Sequence, residues 1–179
     1  METMGLTAGW LALGGGIAGM ADVILIPEQD FPEQDLKTFL EKRIHEQRGL
    51  IIVVSEGVTL SEKVTRSMDK SGASEVVANY GVGEKLAHWI ESEVQWETRH
   101  VVLGHLQRSR APSATDRFLT LKMGIEAARL AHEKKWGMAA SYRRGLVQPV
   151  PISDFMGAPR TITPQAPWLQ MAKDLGIFI

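Results

Sequence analysis

Glu56, His105, Arg108 and Arg110 are the side chains best suited to holding a charged, hydroxylated ligand, and each, like Gln107 among them, follows closely on a short apolar run. An arginine guanidinium is a planar fork that pairs with phosphate oxygens, and a histidine adds a donor whose charge adjusts near neutral pH. A carboxylate such as Glu56 accepts hydrogen bonds from sugar hydroxyls. Together these groups describe a site for a phosphorylated polyol. Arg99 stands at the beginning of the third apolar run, and Arg117 lies further on. A plainer arrangement remains open at this point, in which Arg99, Arg108 and Arg117 pair with Glu93, Glu97 and Asp116 on a wet face. His45, His88, His100 and His132 lie on helices or beside apolar runs, where surface or packing roles suffice.

Three apolar runs must position those groups. Val23–Ile26, closed by Pro27-Glu28, and Leu50–Val54, closed by Ser55-Glu56, show no alternation, as strands buried on both faces require. His100–Leu103 forms a third, closed by Gly104-His105. Between the first two, Asp30 with Glu33 opens a helix, Pro32 fits its first turn, Leu36, Phe39, Leu40 and Ile44 recur at helical spacing, and Gly49 ends it. Strand, helix and strand at this spacing make a βαβ unit. The fold class expected is therefore α/β, a mostly parallel sheet flanked by helices. In such a sheet ligands bind beyond the carboxyl ends of the strands, which is where Glu56 and His105 fall.

Further helices are expected over Thr7–Met20, Gly83–Val94, from a Thr115-Asp116 cap to about Lys135 with Leu119, Met123, Ala127 and Leu130 inward, and over Trp168–Leu175. Gly57–Val82 reads as a long polar excursion with a short helix near Glu62–Met68. Met138–Tyr142 suits one more strand, after which prolines 149, 151, 159, 164 and 167 break the tail. The expected division is an α/β domain over residues 1–145 and a carboxyl-terminal extension, 146–179, packing on it.

Composition narrows the function class. At 179 residues, 44% hydrophobic and 23% charged, the chain has globular proportions and about one domain's length, which excludes disorder, collagen and coiled coil. It has no cysteine, hence no disulfide framework and no thiolate chemistry. Twenty basic against twenty-one acidic residues leave a net charge of −1, so no overall field favours nucleic acid or a membrane surface. Met4–Ile26 is nearly uncharged, but Asp22 and crowded glycines argue against a spanning helix, and no basic segment precedes it as in a signal peptide. Gly14, Gly16 and Gly19 satisfy G-x-G-x-x-G, yet they do not follow a strand and leave no room for the helix a dinucleotide fold requires, so close packing is expected. No Walker sequence, zinc spacing or nucleophile elbow occurs.

Arg99, then Gly104-His105-Leu106-Gln107-Arg108, and later Asp116-Arg117 closely resemble the signature of the phosphofructokinases. "ETMGLTAGWLALGGGIAGMADVILIPE" is similar to the family's segment opening with Met-Gly-Arg, and "IIVVSEG" to its glutamate-bearing strand. "ETRHVVLGHLQR" and "DRFLTLKMGIEAA" follow in order, and a fainter likeness continues through "PISDFMGAPR". The resemblance implies phosphoryl transfer from ATP or pyrophosphate, with Mg2+, to the 1-hydroxyl of fructose 6-phosphate, in glycolysis and in the cytoplasm. It implies that Met4 and Gly5 lie against the sugar, that Glu56 binds its hydroxyls, and that His105 and Arg108 hold the 6-phosphate. It also implies that Arg99 reaches the same phosphate from a neighbouring subunit of a homo-oligomer.

The departures are specific. Leu6 stands where the family has an arginine beside the transferred phosphoryl group, and loss of that cation should slow transfer. Ser109 and Arg110 replace two small residues, and His45-Glu46-Gln47-Arg48 replaces a lysine-rich effector segment. The long stretch between Glu56 and Arg99 resembles the bacterial group that contains both ATP and pyrophosphate users. The family's glycine-rich donor loop, magnesium-binding acid and Thr-Ile-Asp-Asn-Asp base motif precede the matched segment. The expectation is thus a carboxyl-terminal half, inactive alone, whose donor and metal are bound mainly by an amino-terminal half, on the same or a separate chain. A degenerate module that binds sugar phosphate without catalysis is the alternative.

Overall fold

The computed structural model describes residues 1–44, 46, 49–61, 81–157 and 159–179. In chain order its elements are β1 (Glu2–Thr3), α1 (Trp10–Ala18), β2 (Val23–Leu25), α2 (Glu33–Ile44), β3 (Ile52–Ser55), α3 (Val82–Glu93), a 3-10 turn (Gly104–Arg108), α4 (Ala114–His132), β4 (Met138–Arg143), β5 (Leu146–Pro151), a second 3-10 turn (Ile152–Phe155) and α5 (Pro167–Asp174). They fall into two compact units, residues 1–108 with 160–179, and residues 109–159.

In the first unit β3 lies between β1 and β2, and all three run parallel. Val102 extends this sheet past β1 through a parallel bridge to Glu2, and Phe178 extends it past β2 through one to Val23. The apolar runs are continuous because both faces are covered. Side chains alternate between faces along each strand, so Ile24, Ile26 and Val53 pack with Leu13 of α1 and Leu169 and Ala172 of α5. Val23, Leu25 and Val54 pack on the other side with Leu36 and Leu40 of α2 and with Leu86, Trp89 and Ile90 of α3. The Asp22 carboxylate accepts the Ile51 amide at 3.0 Å and helps align β2 with β3. In α2, Glu33 and Asp35 occupy the first turn and Lys42 and Arg43 the last, which complements the helix dipole.

In the second unit α4 packs on a hairpin of β4 and β5, which pair antiparallel from Met138↔Pro151 to Arg143↔Leu146. Arg144 and Gly145 make its two-residue loop, both with positive φ (50° and 87°), the conformation that matches strand twist in a tight hairpin. Ser113 starts α4 by a capping box, accepting the Asp116 amide while the Asp116 carboxylate accepts the Ser113 amide.

Several elements differ from the sequence expectation. β1 is only two residues long and leaves no periodic signal. The third apolar run makes a single bridge rather than a strand. β5 forms despite Pro149 and Pro151, since a two-stranded hairpin leaves each strand an unpaired side on which a missing N–H costs nothing. The division expected at residue 145 falls within this hairpin, and residues 160–179 group with 1–108 instead. Ala127 is exposed rather than inward. The helix expected near Glu62–Met68 lies outside the described residues. No described helix is long and apolar enough to cross a membrane.

Candidate functional site

β1 and β3 end side by side, so the residues that follow them, Met4-Gly5 and Glu56, are neighbours. The Glu56 amide donates to the Thr3 carbonyl at 2.9 Å, which continues the ladder by one step. Beyond it the backbone of Gly5 turns to φ +141°, a conformation that side-chain-bearing residues rarely adopt. That turn lets the Gly5 amide donate to Glu56 Oε1 at 3.0 Å, while the buried Ser55 hydroxyl donates to the Gly5 carbonyl at 2.6 Å.

The third strand-end segment joins through Gln107. Its side-chain oxygen Oε1 accepts the Met4 amide at 2.7 Å, and the Leu103 amide donates to the Glu2 carbonyl at 3.1 Å. The turn over Gly104–Arg108 is thereby tied to the Met4-Gly5 loop. His105 and Arg108 lie exposed on this turn, and among the described residues neither makes an ion pair or side-chain hydrogen bond. Glu56 is exposed as well, with Oε1 engaged by Gly5. The edge therefore offers a carboxylate, an imidazole and a guanidinium to solvent beside backbone that is firmly hydrogen-bonded.

Arg99 is elsewhere. It precedes Val102, so it lies at the amino edge of the parallel sheet, opposite Glu56. Its side chain is 88% exposed and pairs with Glu97. The surface pairing left open by the sequence thus holds for Arg99 but not for Arg108. Arg117 donates from Nε to the Pro112 carbonyl, and Asp116 serves the cap. A cavity of about 390 Å³ also opens at the amino edge, lined by Met1, Ile51, Leu86, Ile90 and Trp96 among others, with Arg99 and His100. Its mostly apolar wall is unsuited to a phosphate.

Glu28, which ends the first run, is enclosed rather than open. Both its oxygens accept the Gly9 amide at the start of α1, at 3.2 and 3.0 Å, and Oε1 also accepts the Ile162 amide at 2.9 Å. It anchors the far end of the loop that carries Met4 and Gly5. Gln107, Ser55 and Glu28 had no assigned role in the sequence reading. The available signal was their position, since each polar residue sits at or just past the end of an apolar run. Gly14 and Gly16 lie inside α1 and Gly19 caps it, and a Cβ at Gly14 or Gly16 would press into Trp168 or Ile24, so the glycine pattern serves packing. No group of three or more His, Asp or Glu able to hold a metal occurs among the described residues.

An open parallel sheet with polar groups gathered at the carboxyl ends of its strands is the arrangement of ligand-binding α/β proteins. Residues 1–131 match the phosphofructokinase family, and the chain belongs to it. It is 35% identical to the pyrophosphate–fructose 6-phosphate 1-phosphotransferase of Streptomyces coelicolor, over 99% of this chain and 51% of that protein. It is likewise 35% identical to the ATP-dependent 6-phosphofructokinase of Spirochaeta thermophila, over 98% of this chain and 49% of that one. The chain spans about half the length of the curated relatives it matches. Its fold is similar to that of the pyrophosphate-dependent phosphofructokinase of Marinobacter aquaeolei, with a TM-score of 0.73, 22% identity, and coverage of 99% of this chain and 43% of that one. The phosphofructokinase of Pichia pastoris aligns with a TM-score of 0.62 and 30% identity, over 86% of this chain and 16% of that one.

Proposed function

We propose that this chain supplies the fructose 6-phosphate site of a phosphofructokinase. His105 and Arg108 take the 6-phosphate, Glu56 accepts hydrogen bonds from the sugar hydroxyls, and the Met4-Gly5 loop forms the adjoining wall. The observation that carries this reading is the pair of hydrogen bonds, Gly5 to Glu56 and Met4 to Gln107, that joins three strand-end segments while leaving His105 and Arg108 unpaired among the described residues. Arg99, exposed at the opposite edge, extends toward the site of a neighbouring subunit in a homo-oligomer. The phosphoryl donor, ATP or pyrophosphate, and its Mg2+ are held by an amino-terminal half, and the two relatives above differ in that donor. Phosphoryl transfer to the 1-hydroxyl, a glycolytic reaction of the cytoplasm, then requires both halves.

Titration of fructose 6-phosphate into the chain and into an Arg108→Ala variant tests the binding role. Loss of a charge-assisted contact worth about 1.5–3 kcal/mol weakens binding by roughly ten- to a hundredfold. Equal affinity in the two proteins removes Arg108 from the site. Affinity falls as salt is added, because the phosphate contacts are charged and exposed. The purified chain supplied with donor and Mg2+ forms no fructose 1,6-bisphosphate; product formed without a second polypeptide contradicts the division of labour.

Leu6 supports a second reading, a non-catalytic sugar-phosphate-binding module. Its side chain is 72% exposed, so it has little packing role where the family carries a cation. Leu6→Arg in a full-length context raises the transfer rate if the site is catalytic, and leaves it unchanged if the module is regulatory.

A further inference from the structure

The segments that meet at the carboxyl edge of the first unit divide by charge. Residues 1–9, 26–31 and 54–61, which carry the ends of β1, β2 and β3, contain Glu2, Glu28, Asp30 and Glu56 but no lysine, arginine or histidine. The turn over Gly104–Arg108 contains His105 and Arg108 and no acid. Glu2 is buried and accepts the Gly83 amide, and Glu28 is engaged by Gly9 and Ile162, so Glu56 is the exposed acid tied to the Met4-Gly5 loop. Leu6 comes next in that loop. Its carbonyl lies so close to Gly57 that a Cβ at Gly57 could not fit, which pins the backbone, while the Leu6 side chain stands 72% exposed. The amino end of α1 adds little positive character, because the Gly9 amide at its N-cap already donates to Glu28. Arg160 meets the far end of the loop, where its guanidinium lies 5.9 Å from the centroid of the Trp10 ring. One end of the edge is thus cationic, and the other is acidic and apolar.

We propose that Glu56 and Leu6 make this a site for a sugar carrying a single phosphate, and that they turn away a sugar phosphorylated at both ends. The inference rests on the functional reading above, in which His105 and Arg108 take the 6-phosphate and Glu56 the hydroxyls. A hexose anchored by that phosphate presents neutral hydroxyls to the Glu56 end, where an ionised carboxylate is a pure acceptor. A second phosphate at that end meets like charge instead. The three strand-end segments hold no cation to balance it, and the Leu6 side chain offers no donor. A binding site discriminates by an unfavourable contact with the wrong ligand as well as by a favourable one with the right ligand. Leu6 and Glu56 therefore set specificity at one end, while the charge at the other end attracts both kinds of sugar equally.

The test titrates fructose 6-phosphate and fructose 1,6-bisphosphate separately into the intact chain, with binding read by calorimetry. The wild type should bind the monophosphate roughly tenfold or more tightly than the bisphosphate. That gap should narrow as salt is added, because attraction to the 6-phosphate is common to both ligands whereas the repulsion acts on one. Leu6→Arg should raise bisphosphate affinity by roughly tenfold or more and so close the gap. Glu56→Gln should shift the ratio of the two affinities in the same direction. Both positions are exposed, so circular dichroism of the variants should match the wild type. A wild type that binds the two ligands equally, a gap that salt leaves unchanged, or a Leu6→Arg variant in which both affinities change alike would each overturn the specificity proposal while leaving the functional reading intact. Failure of the wild-type chain to bind fructose 6-phosphate at all would overturn the functional reading and the specificity with it, so the two failures are distinguishable.

Discussion

The two units of this chain treat apolar side chains in opposite ways. In residues 1–108 with 160–179, Leu13, Ile24, Leu36, Leu40 and Leu169 are sealed between a parallel sheet and the helices on its two faces. In residues 109–159, Leu130 and Val150 are the buried hydrophobic residues among those described, while Phe118, Leu121, Ile125, Leu146 and Phe155 stay exposed. A two-stranded hairpin with one helix has too little interior to enclose its own apolar residues. The difference separates the two: the first unit can hold loop ends rigidly for a ligand, whereas the second leaves much of its apolar surface in solvent.

Four measurements press on that contrast. Leu13→Ala or Leu40→Ala in the first unit should lower stability in urea by about 2–5 kcal/mol, and Phe118→Ala in the second should change it by less than about 0.5 kcal/mol. Comparable losses at both places would erase the contrast. Glu28→Ala leaves the Gly9 and Ile162 amides without their acceptor and should cost about 1–3 kcal/mol, with faster amide exchange at both positions; unchanged exchange would show that Glu28 does not hold the loop. Ser113→Ala removes the cap of α4 and should cost about 1 kcal/mol, read as lost helicity in the second unit with the first undisturbed.

The smallest effect is one of pH. Hydrogen bonds from the Ser113 side chain and backbone hold the Asp116 carboxyl below its ordinary range. A carboxyl group lowered in the folded state stabilises above its unfolded pKa, and the contribution disappears as pH falls through the folded one. Glu133, held down by Lys135 and Arg129, and Glu126, held down by Arg129, act in the same direction. The helicity of α4 should therefore decline on acidification, and Asp116→Asn should make the decline shallower. An identical pH profile in that variant would show that the cap does not depend on the charge.

Much of the first unit was legible because burial on both faces leaves an unmistakable mark. Val23–Ile26 and Leu50–Val54 read as strands from their lack of alternation, and the ends of such strands pointed to Glu56, His105 and Arg108. What escaped was set by partners far away in sequence. The Ile162 amide reaches Glu28 across 134 positions, and Gln107 meets Met4 across 103. No periodicity records such pairs. β5 was hidden by prolines that an unpaired strand side tolerates. The outward apolar residues of α4, Phe118, Leu121 and Ile125, were overlooked because a helix with apolar residues on two sides has no single dominant face.

The central claim, that Met4-Gly5, Glu56 and the 104–108 turn form one sugar-phosphate site, is tested most directly by following backbone amide resonances while fructose 6-phosphate is added. The account predicts saturable shifts at Gly5, Glu56, His105 and Arg108 together, with one shared affinity, and none at Ile51 or Trp96 on the opposite edge. Shifts centred on Ile51 and Trp96, or unrelated affinities among the four residues, would contradict it.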